Sequence, residues 1–412
     1  MIKGTTIKAG LLGEHLSHSF SPRIHAQLAD YDYRLFEVAP DDVEDFLKRG
    51  EFDAINVTIP YKKTVMPFLA QISPQAARIG AVNTVIRMAD GSLVGHNTDY
   101  DGFADLVASL GISLTGKKVL VLGSGGASRT AVTVANDANA REVVVISRNG
   151  ENNYGNIERH ADAQILINAT PVGMYPNNGQ SPLSLETLPC LEAVFDMIYN
   201  PARTKLLQDA AARGIPHRNG LLMLVSQARR AAELFLGVAI EDSEVEKITD
   251  RIAKEMQNII LIGMPGCGKS TLGRLLAEDL GKRFVDSDAE IERMAGKTIP
   301  QIFEQDGEEA FRAIETAALD EITRESGVVI ATGGGVVTRE RNLALLHQNG
   351  RVLFLDTPPD ALPTNGRPLS QQKTPAVLYA ERLPLYRAAA DITVCITRNI
   401  DKNMELIKEA LA

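Results

Sequence analysis

Residues 258–280 read Asn258-Ile-Ile-Leu-Ile-Gly-Met-Pro-Gly-Cys-Gly-Lys-Ser-Thr-Leu-Gly-Arg-Leu-Leu-Ala-Glu-Asp-Leu280. An apolar run fit for a buried strand is followed by a glycine turn and then by a helical pattern. The turn, Gly263-Met264-Pro265-Gly266-Cys267-Gly268-Lys269-Ser270, is a complete GxxxxGKS. Its glycines let backbone N–H groups close around a triphosphate. Lys269 reaches the outer phosphates and the Ser270 hydroxyl ligates Mg²⁺. A helix over 270–280 points its positive end at the same charge. Cys267 reads as a small filler of the loop.

Outward from this loop, short apolar runs alternate with helical patterns, as in parallel α/β units. Buried strands are expected at 118–122, 142–146, 164–168, 193–197, 258–262, 328–331 and 351–355. Residues 221–236 read as an amphipathic helix and 243–256 as a polar one. The joint near Gln257 has no Gly/Ser- or Pro-rich linker, which predicts closely coupled halves. A weaker boundary falls near residues 99–101. The 412 residues suit two or three domains. Their net charge of −9 argues against nucleic-acid or anionic-membrane partners. Anionic substrates then require local Lys and Arg clusters. Cys190, Cys267 and Cys395 form no CxxC pair, and no apolar run approaches the roughly 20 residues of a membrane span. A reduced, soluble, cytoplasmic chain is expected.

After the loop come Phe284-Val285-Asp286-Ser287-Asp288 and then Gly307-Glu308-Glu309-Ala310-Phe311-Arg312-Ala313-Ile314-Glu315. Ala331-Thr332-Gly333-Gly334-Gly335, Gly366-Arg367-Pro368-Leu369 and Arg382-Leu383-Pro384-Leu385-Tyr386 complete the series. In this order the motifs resemble shikimate kinase across 257–412. The resemblance implies a catalytic Lys269 and a phosphate loop that includes Gly266, Gly268, Ser270 and Thr271. It implies that Asp288 meets the shikimate hydroxyls and acts as base. Arg312 and Arg382 would grip the carboxylate, with Gly334 against the ring. Asp286 would hold Mg²⁺ through water, and Arg367 would lie on a lid over the phosphates. Arg suits a carboxylate because its planar fork bonds both oxygens. The plainer readings are surface ion pairs for the arginines and a helix N-cap for Asp286. The segment 360–373 is shorter than usual in that family, and Ser370 replaces its second leucine.

Residues 117–135 again read strand, glycine turn, helix. The turn Gly123-Ser124-Gly125-Gly126-Ala127-Ser128 is a GxGxxG variant with serine in the third glycine place. The next strand ends in Ser147-Arg148, where an NAD site would offer an acid. Arg148 favours the 2′-phosphate of NADP; its plainer reading is a solvated loop cation. Upstream, Ser17-His18-Ser19-Phe20-Ser21-Pro22, Asn56-Val57-Thr58-Ile59-Pro60-Tyr61-Lys62, Ala81-Val82-Asn83-Thr84 and Asn97-Thr98-Asp99 gather hydroxyls, amides, an ammonium and a carboxylate. Such a set suits a ligand bearing several hydroxyls. With Asn168-Ala169-Thr170-Pro171-Val172-Gly173-Met174 and Leu222-Met223-Leu224-Val225-Ser226-Gln227-Ala228, these motifs resemble shikimate dehydrogenase over about 9–237. The resemblance implies that Ser19, Ser21, Thr58, Asn83, Asp99 and Gln227 hold shikimate or 3-dehydroshikimate. Lys62 and Asp99 would be the catalytic pair, Tyr199 would line the substrate site and Met223 would neighbour the nicotinamide. NADP would bind through Gly123, Gly125, Gly126, Ala127, Ser147 and Arg148. His18 reads as structural. Only about twenty residues join Arg148 to Asn168, where that family has a longer helical crossover.

The expected architecture is α/β throughout. Residues 1–100 form a substrate domain, completed by helices at about 221–256. Residues 101–220 form a Rossmann-like NADP domain, and 257–412 form a P-loop NTPase-type domain like the nucleoside monophosphate kinases. Together they imply NADPH-dependent reduction of 3-dehydroshikimate and then ATP- and Mg²⁺-dependent phosphorylation of shikimate. The partners would be small molecules, with no nucleic acid and no membrane; the sequence leaves oligomeric state open. Two other readings are a metabolite-sensing regulator built from the same domains, and specificity for quinate or another polyol acid.

Overall fold

A computed structural model of the chain describes residues 7–16, 19–362 and 374–411. Ser17, His18, Arg367 and most of the 360–373 segment lie outside the described residues. The described part divides into two compact units. The first runs to Gly173 and adds Gln180–Tyr199 and Leu206–Ile252; the second comprises Met174–Gly179, Asn200–Lys205 and the chain from Ala253 onward.

The first unit holds two sheets. One is built from β1 (Lys8–Gly13), β2 (Asp32–Glu37), β3 (Ala54–Val57), β4 (Gln71–Ile72), β5 (Thr84–Arg87) and β6 (Leu93–His96), in the order β2-β1-β3-β5-β6-β4. Its β1–β2 and β1–β3 pairs are parallel, while β5 runs antiparallel to β3 and β6. One face packs on Phe46, Phe52, Tyr61 and Val65. The other meets Ala231 and Phe235 of helix Leu221–Leu236, which join Ala9 and Ala54 in a single cluster. His25 lies in that region, stacked on Tyr33 at 4.0 Å. Burial lowers its pKa to about 3, with a hydrogen bond to Asn56 opposing, so it stays neutral at ordinary pH.

The second sheet of this unit uses β7 (Lys118–Leu122), β8 (Glu142–Ile146), β9 (Ile165–Asn168), β10 (Ala193–Asp196) and β11 (His217–Arg218), ordered β11-β10-β9-β7-β8. All of its pairings are parallel. Strands covered on both faces read as unbroken apolar runs, which is how 118–122 and 142–146 announce themselves. The short link from β8 to β9 contains one 3-10 segment, Tyr154–His160, whose N-terminus is closed by a reciprocal Asn153/Asn156 box. It still carries the chain across β7. The direction of winding therefore reverses at β7, the place where open α/β sheets hold ligands.

The second unit has one parallel sheet of β12 (Asn258–Ile262), β13 (Arg283–Asp286), β14 (Val328–Ala331), β15 (Gly350–Asp356) and β16 (Ile392–Cys395), in the order β13-β14-β12-β15-β16. Ile260, Leu261, Ile330, Leu353 and Phe354 form its core, and all are fully buried. A smaller cluster of Ile291, Ile302, Phe311 and Ala318 lies under helices Ser287–Ala295, Ile299–Gln305 and Gly307–Ile322. The expected strands are all present, with ends moved by a residue at most.

One glycine sets the geometry of the first unit. Helix Asp99–Ala108 packs on Leu221–Leu236, and a Cβ at Gly102 would stand 2.6 Å from the Met223 carbonyl and 3.1 Å from the Gln227 nitrogen. Both obstacles are backbone and cannot rotate away. Gly102→Ala should therefore cost about 1–3 kcal/mol through overpacking. That loss should appear as a lower melting transition, at about 2–4 °C per kcal/mol. An unchanged transition would show that the helices separate freely.

Candidate active sites

In the first unit, β3 ends at Val57, and Thr58 continues its direction by donating its N–H to Leu12 O at 2.9 Å. The chain then turns through the buried Tyr61 to Lys62, whose carbonyl accepts from Val82 N at 2.8 Å. The Lys62 ammonium donates to Asp99 Oδ2 at 2.6 Å, with both side chains mostly shielded. Asp99 is the first residue of its helix. The residue before it is fixed by a buried polar chain. Asn83 Oδ1 accepts from Thr98 N at 2.7 Å, and Asn83 Nδ2 donates to Thr98 Oγ1 at 3.1 Å. Thr84 Oγ1 donates to Asn83 Oδ1 at 3.0 Å, and Asn56 Nδ2 donates to Thr84 Oγ1 at 3.3 Å. Thr98 Oγ1 also reaches Gln227 Oε1 at 3.5 Å. Asn83, Thr98, Gln227, Asp99 and Lys62 are thus brought together.

Ser21 N donates to Ser19 Oγ at 3.2 Å, and the Ser21 hydroxyl bonds Tyr33, which donates to Asn56 Oδ1 at 2.9 Å. The serines therefore join the same polar chain. Tyr199 meets Phe20 edge-on at 6.0 Å, and burial raises its pKa. Thr98, Asn56 and Tyr33 carried no role in the sequence reading. Thr98 and Asn56 stood in motifs rich in amides and hydroxyls; Tyr33 stood in no motif, and nothing in the sequence pointed to it.

The glycine turn follows β7. Gly123 has φ 104° and donates its N–H to Ile146 O at 2.8 Å. A side chain there would meet Ala169 O at 3.1 Å, whereas Cβ atoms at Gly125 and Gly126 would meet nothing within 4 Å. Open space in front of helix Gly126–Asp137 fits a pyrophosphate. Ser128 is buried, so the serine in the third glycine position is accommodated. Ala127 and Arg148 are exposed, and Ser147 N bonds Asn152 O at 3.1 Å.

In the second unit Lys269 is buried, and its ammonium donates to the carbonyls of Gly263 and Met264, each at 2.9 Å. Ser270 Oγ donates to Asp286 Oδ2 at 2.7 Å, while Asp286 Oδ1 caps helix Ser287–Ala295 by accepting from Asp288 N at 3.0 Å. The N-cap reading of Asp286 is thus observed, and the cap uses only Oδ1. A hydroxyl and a carboxylate are hard oxygen donors of the kind Mg²⁺ takes when phosphates and water complete its shell.

The substrate-side groups meet around Gly333–Gly335. A Cβ at Gly333 would lie 2.9 Å from Asp288 Oδ1 and 3.2 Å from Glu315 Oε1, and one at Gly335 would strike the Arg312 guanidinium. Arg312 Nη1 bonds both Glu315 oxygens, at 3.0 and 2.8 Å. Burial pushes the Glu315 carboxyl up, and Arg312, Arg382 and Arg339 oppose that. Arg382 Nη1 donates to Gly334 O at 3.0 Å. Glu315 and Tyr386 were quoted in motifs without a role; the spacing of three between Arg312 and Glu315 was the available signal.

A model of the shikimate dehydrogenase substrate-binding domain matches residues 11–85, and a shikimate kinase model matches 265–412. A shikimate dehydrogenase (NADP(+)) of Clostridium perfringens strain 13 is 36% identical over 264 residues, covering 59% of this chain and 97% of that protein. A chorismate mutase/shikimate 5-dehydrogenase fusion from Clostridium acetobutylicum aligns with TM-score 0.57 and 35% identity, over 60% of this chain and 97% of that one. The Thermus thermophilus shikimate 5-dehydrogenase, solved with NADP(H) and shikimate, aligns with TM-score 0.55 and 33% identity, over 60% and 99%. Among the described residues no helix is long and apolar enough to cross a membrane. The chain belongs to the shikimate dehydrogenase family and carries a shikimate kinase domain behind it.

Proposed function

We propose that this chain reduces 3-dehydroshikimate to shikimate with NADPH and then phosphorylates the 3-hydroxyl of shikimate with ATP and Mg²⁺. The observation that carries the reading is that one polypeptide holds two nucleotide loops, each accompanied by its own set of groups suited to a hydroxylated ring acid. NADPH supplies the hydride when bound. Lys62, hydrogen-bonded to Asp99 at 2.6 Å, gives its proton to the developing alkoxide, and Asp99 keeps the ammonium aimed. Thr58, Gln227 and the serines Ser19 and Ser21 hold the ring acid in register with that pair. Gly123, Gly125, Gly126 and Ala127 would hold the cofactor pyrophosphate, Ser147 and Arg148 would take the 2′-phosphate, and Met223 would lie toward the nicotinamide.

ATP supplies the phosphoryl group when bound. Lys269 neutralises its outer phosphates, and Ser270 and Asp286 position the cation. Asp288 receives the proton of the attacking hydroxyl. Arg312 and Arg382 clamp the carboxylate, which fixes the ring and brings that hydroxyl into line. Phosphoryl transfer of this kind depends on positioning and charge neutralisation rather than on covalent catalysis. Glu315 holds the Arg312 fork in plane while the substrate carboxylate binds.

A coupled assay with 3-dehydroshikimate, NADPH, ATP and Mg²⁺ should show NADPH loss together with ADP formation. NADPH loss without ADP would reduce the chain to a dehydrogenase, and silence on both would sink the reading. Lys269→Ala should lower ADP formation at least about 10²-fold and leave NADPH oxidation intact. Lys62→Ala should lower NADPH oxidation about 10²–10⁴-fold and spare the kinase when shikimate is supplied. Glu315→Gln keeps the shape and removes the charge; it should raise the kinase KM for shikimate roughly tenfold, since hydrogen bonds to charged groups are worth about 1.5–3 kcal/mol. An unaltered KM would mean that Arg312 needs no brace.

A further inference from the structure

Tyr386 is fully buried on helix Pro375–Ala389, with its ring stacked on Phe354 of β15 at 5.0 Å. Its hydroxyl donates to the carbonyl of Gly334. That carbonyl also accepts from Arg382 Nη1 at 3.0 Å. Two donors from one helix therefore fix a single peptide oxygen in the glycine loop. On its other side Gly334 touches the phosphate loop, because a Cβ there would lie 2.6 Å from Pro265. Past the glycines the loop is tied again: Asn342 Nδ2 donates to Val336 O at 3.0 Å and Asn342 Oδ1 accepts from Thr316 at 2.8 Å.

A trans peptide holds its C=O and the following N–H in one plane, pointing in opposite directions. Pinning the Gly334 oxygen toward Tyr386 and Arg382 therefore turns the Gly335 N–H away from that helix. Arg312 is the nearest group to a Cβ built on Gly335. The Arg382 fork has a limited number of donors, and one of them is already spent on Gly334 O. The Arg382 guanidinium also bonds the Tyr386 hydroxyl, so hydroxyl, guanidinium and peptide oxygen form one cluster and each limits how the others can turn.

The geometry points to Tyr386 as a positioning residue of the kinase. By sharing the Gly334 carbonyl and bonding the Arg382 guanidinium, it sets the Gly334–Gly335 peptide and aims the remaining donors of Arg382 at the substrate carboxylate. The inference rests on the shikimate kinase reading above. It goes beyond that reading because it assigns the selectivity of the effect: shikimate binding depends on this hydroxyl, and ATP binding does not.

The test is Tyr386→Phe in the full chain, which keeps the ring and its stacking on Phe354. Steady-state kinetics should show the shikimate KM raised about three- to tenfold, the ATP KM unchanged and kcat within about twofold, as for one hydrogen bond whose acceptor keeps another donor. The melting transition should move little. An unchanged shikimate KM would overturn the proposal. So would a parallel rise in both KM values with a lowered melting transition, which marks a packing role. Gly334→Ala is the contrast: it pushes on Pro265 and should raise both KM values, and a rise confined to shikimate would also count against the scheme. The unaltered chain is assayed first. If it forms no ADP with shikimate the kinase reading itself has failed, whereas a working kinase indifferent to Tyr386→Phe loses only this inference.

Discussion

Three of the cations that the proposed reading sets against anionic ligands are kept partly out of water, each by a partner. Arg312 is buried against Glu315, Lys62 is shielded against Asp99, and Lys269 is buried against two loop carbonyls. An unpaired charge at such depth is costly by several kcal/mol, and removing one partner of a buried pair costs about 3–5 kcal/mol. The pairs keep the cations aimed where attraction is weakly screened. In the proposed reading they let a chain of net charge −9 hold a carboxylate and phosphates at a few matched sites.

The fold supplies the aim. Both nucleotide loops leave the end of a strand buried on both faces and enter a helix start, so their backbone N–H groups are fixed by the sheet. The Lys62–Asp99 pair of the first unit joins two elements 37 residues apart in sequence. Asp99 arrives through the short helix contact at Gly102, and Lys62 through the turn after β3. The polar chain of Asn56, Thr84, Asn83 and Thr98 lies between them and satisfies its own amides. A fully bonded buried network of this kind rigidifies a site, whereas a partly bonded one would destabilise it.

The sequence made the strands around both loops legible because buried parallel strands are continuous apolar runs, and it made the loops legible because phosphate binding requires glycine at fixed places. Arg312, Arg382, Asp286 and Asp288 were found through ordered motifs. Glu315 and Tyr386 stood in the same motifs without an assigned part, since their meaning depends on the groups opposite them. The Gly334 carbonyl between Tyr386 and Arg382 has no expression in a pattern of side chains. Gly102 was equally mute, because close helix approach leaves only the absence of a Cβ. The short 148–168 connection was visible as a length, but not that a capped 3-10 segment could make the crossing.

The edge of the second unit illustrates a related limit. Gln348 and Asn349 close helix Glu340–Asn349 and are buried. Asn349 Oδ1 accepts from Ala202 N at 2.6 Å, and its Nδ2 donates to Asn200 Oδ1 at 3.1 Å. Gln348 Oε1 accepts from Asn178 at 3.0 Å, and Tyr175 donates to Thr323 O at 2.8 Å. A buried amide left without partners costs about 1–3 kcal/mol, so these residues favour whichever segments can bond them. Met174–Gly179 and Asn200–Lys205 do so, which is why both cluster with the second unit. A boundary read from hydrophobic pattern falls where apolar runs restart, near Asn258. A boundary read from contacts follows the hydrogen bonds of polar side chains, and those carry no period that a sequence could display.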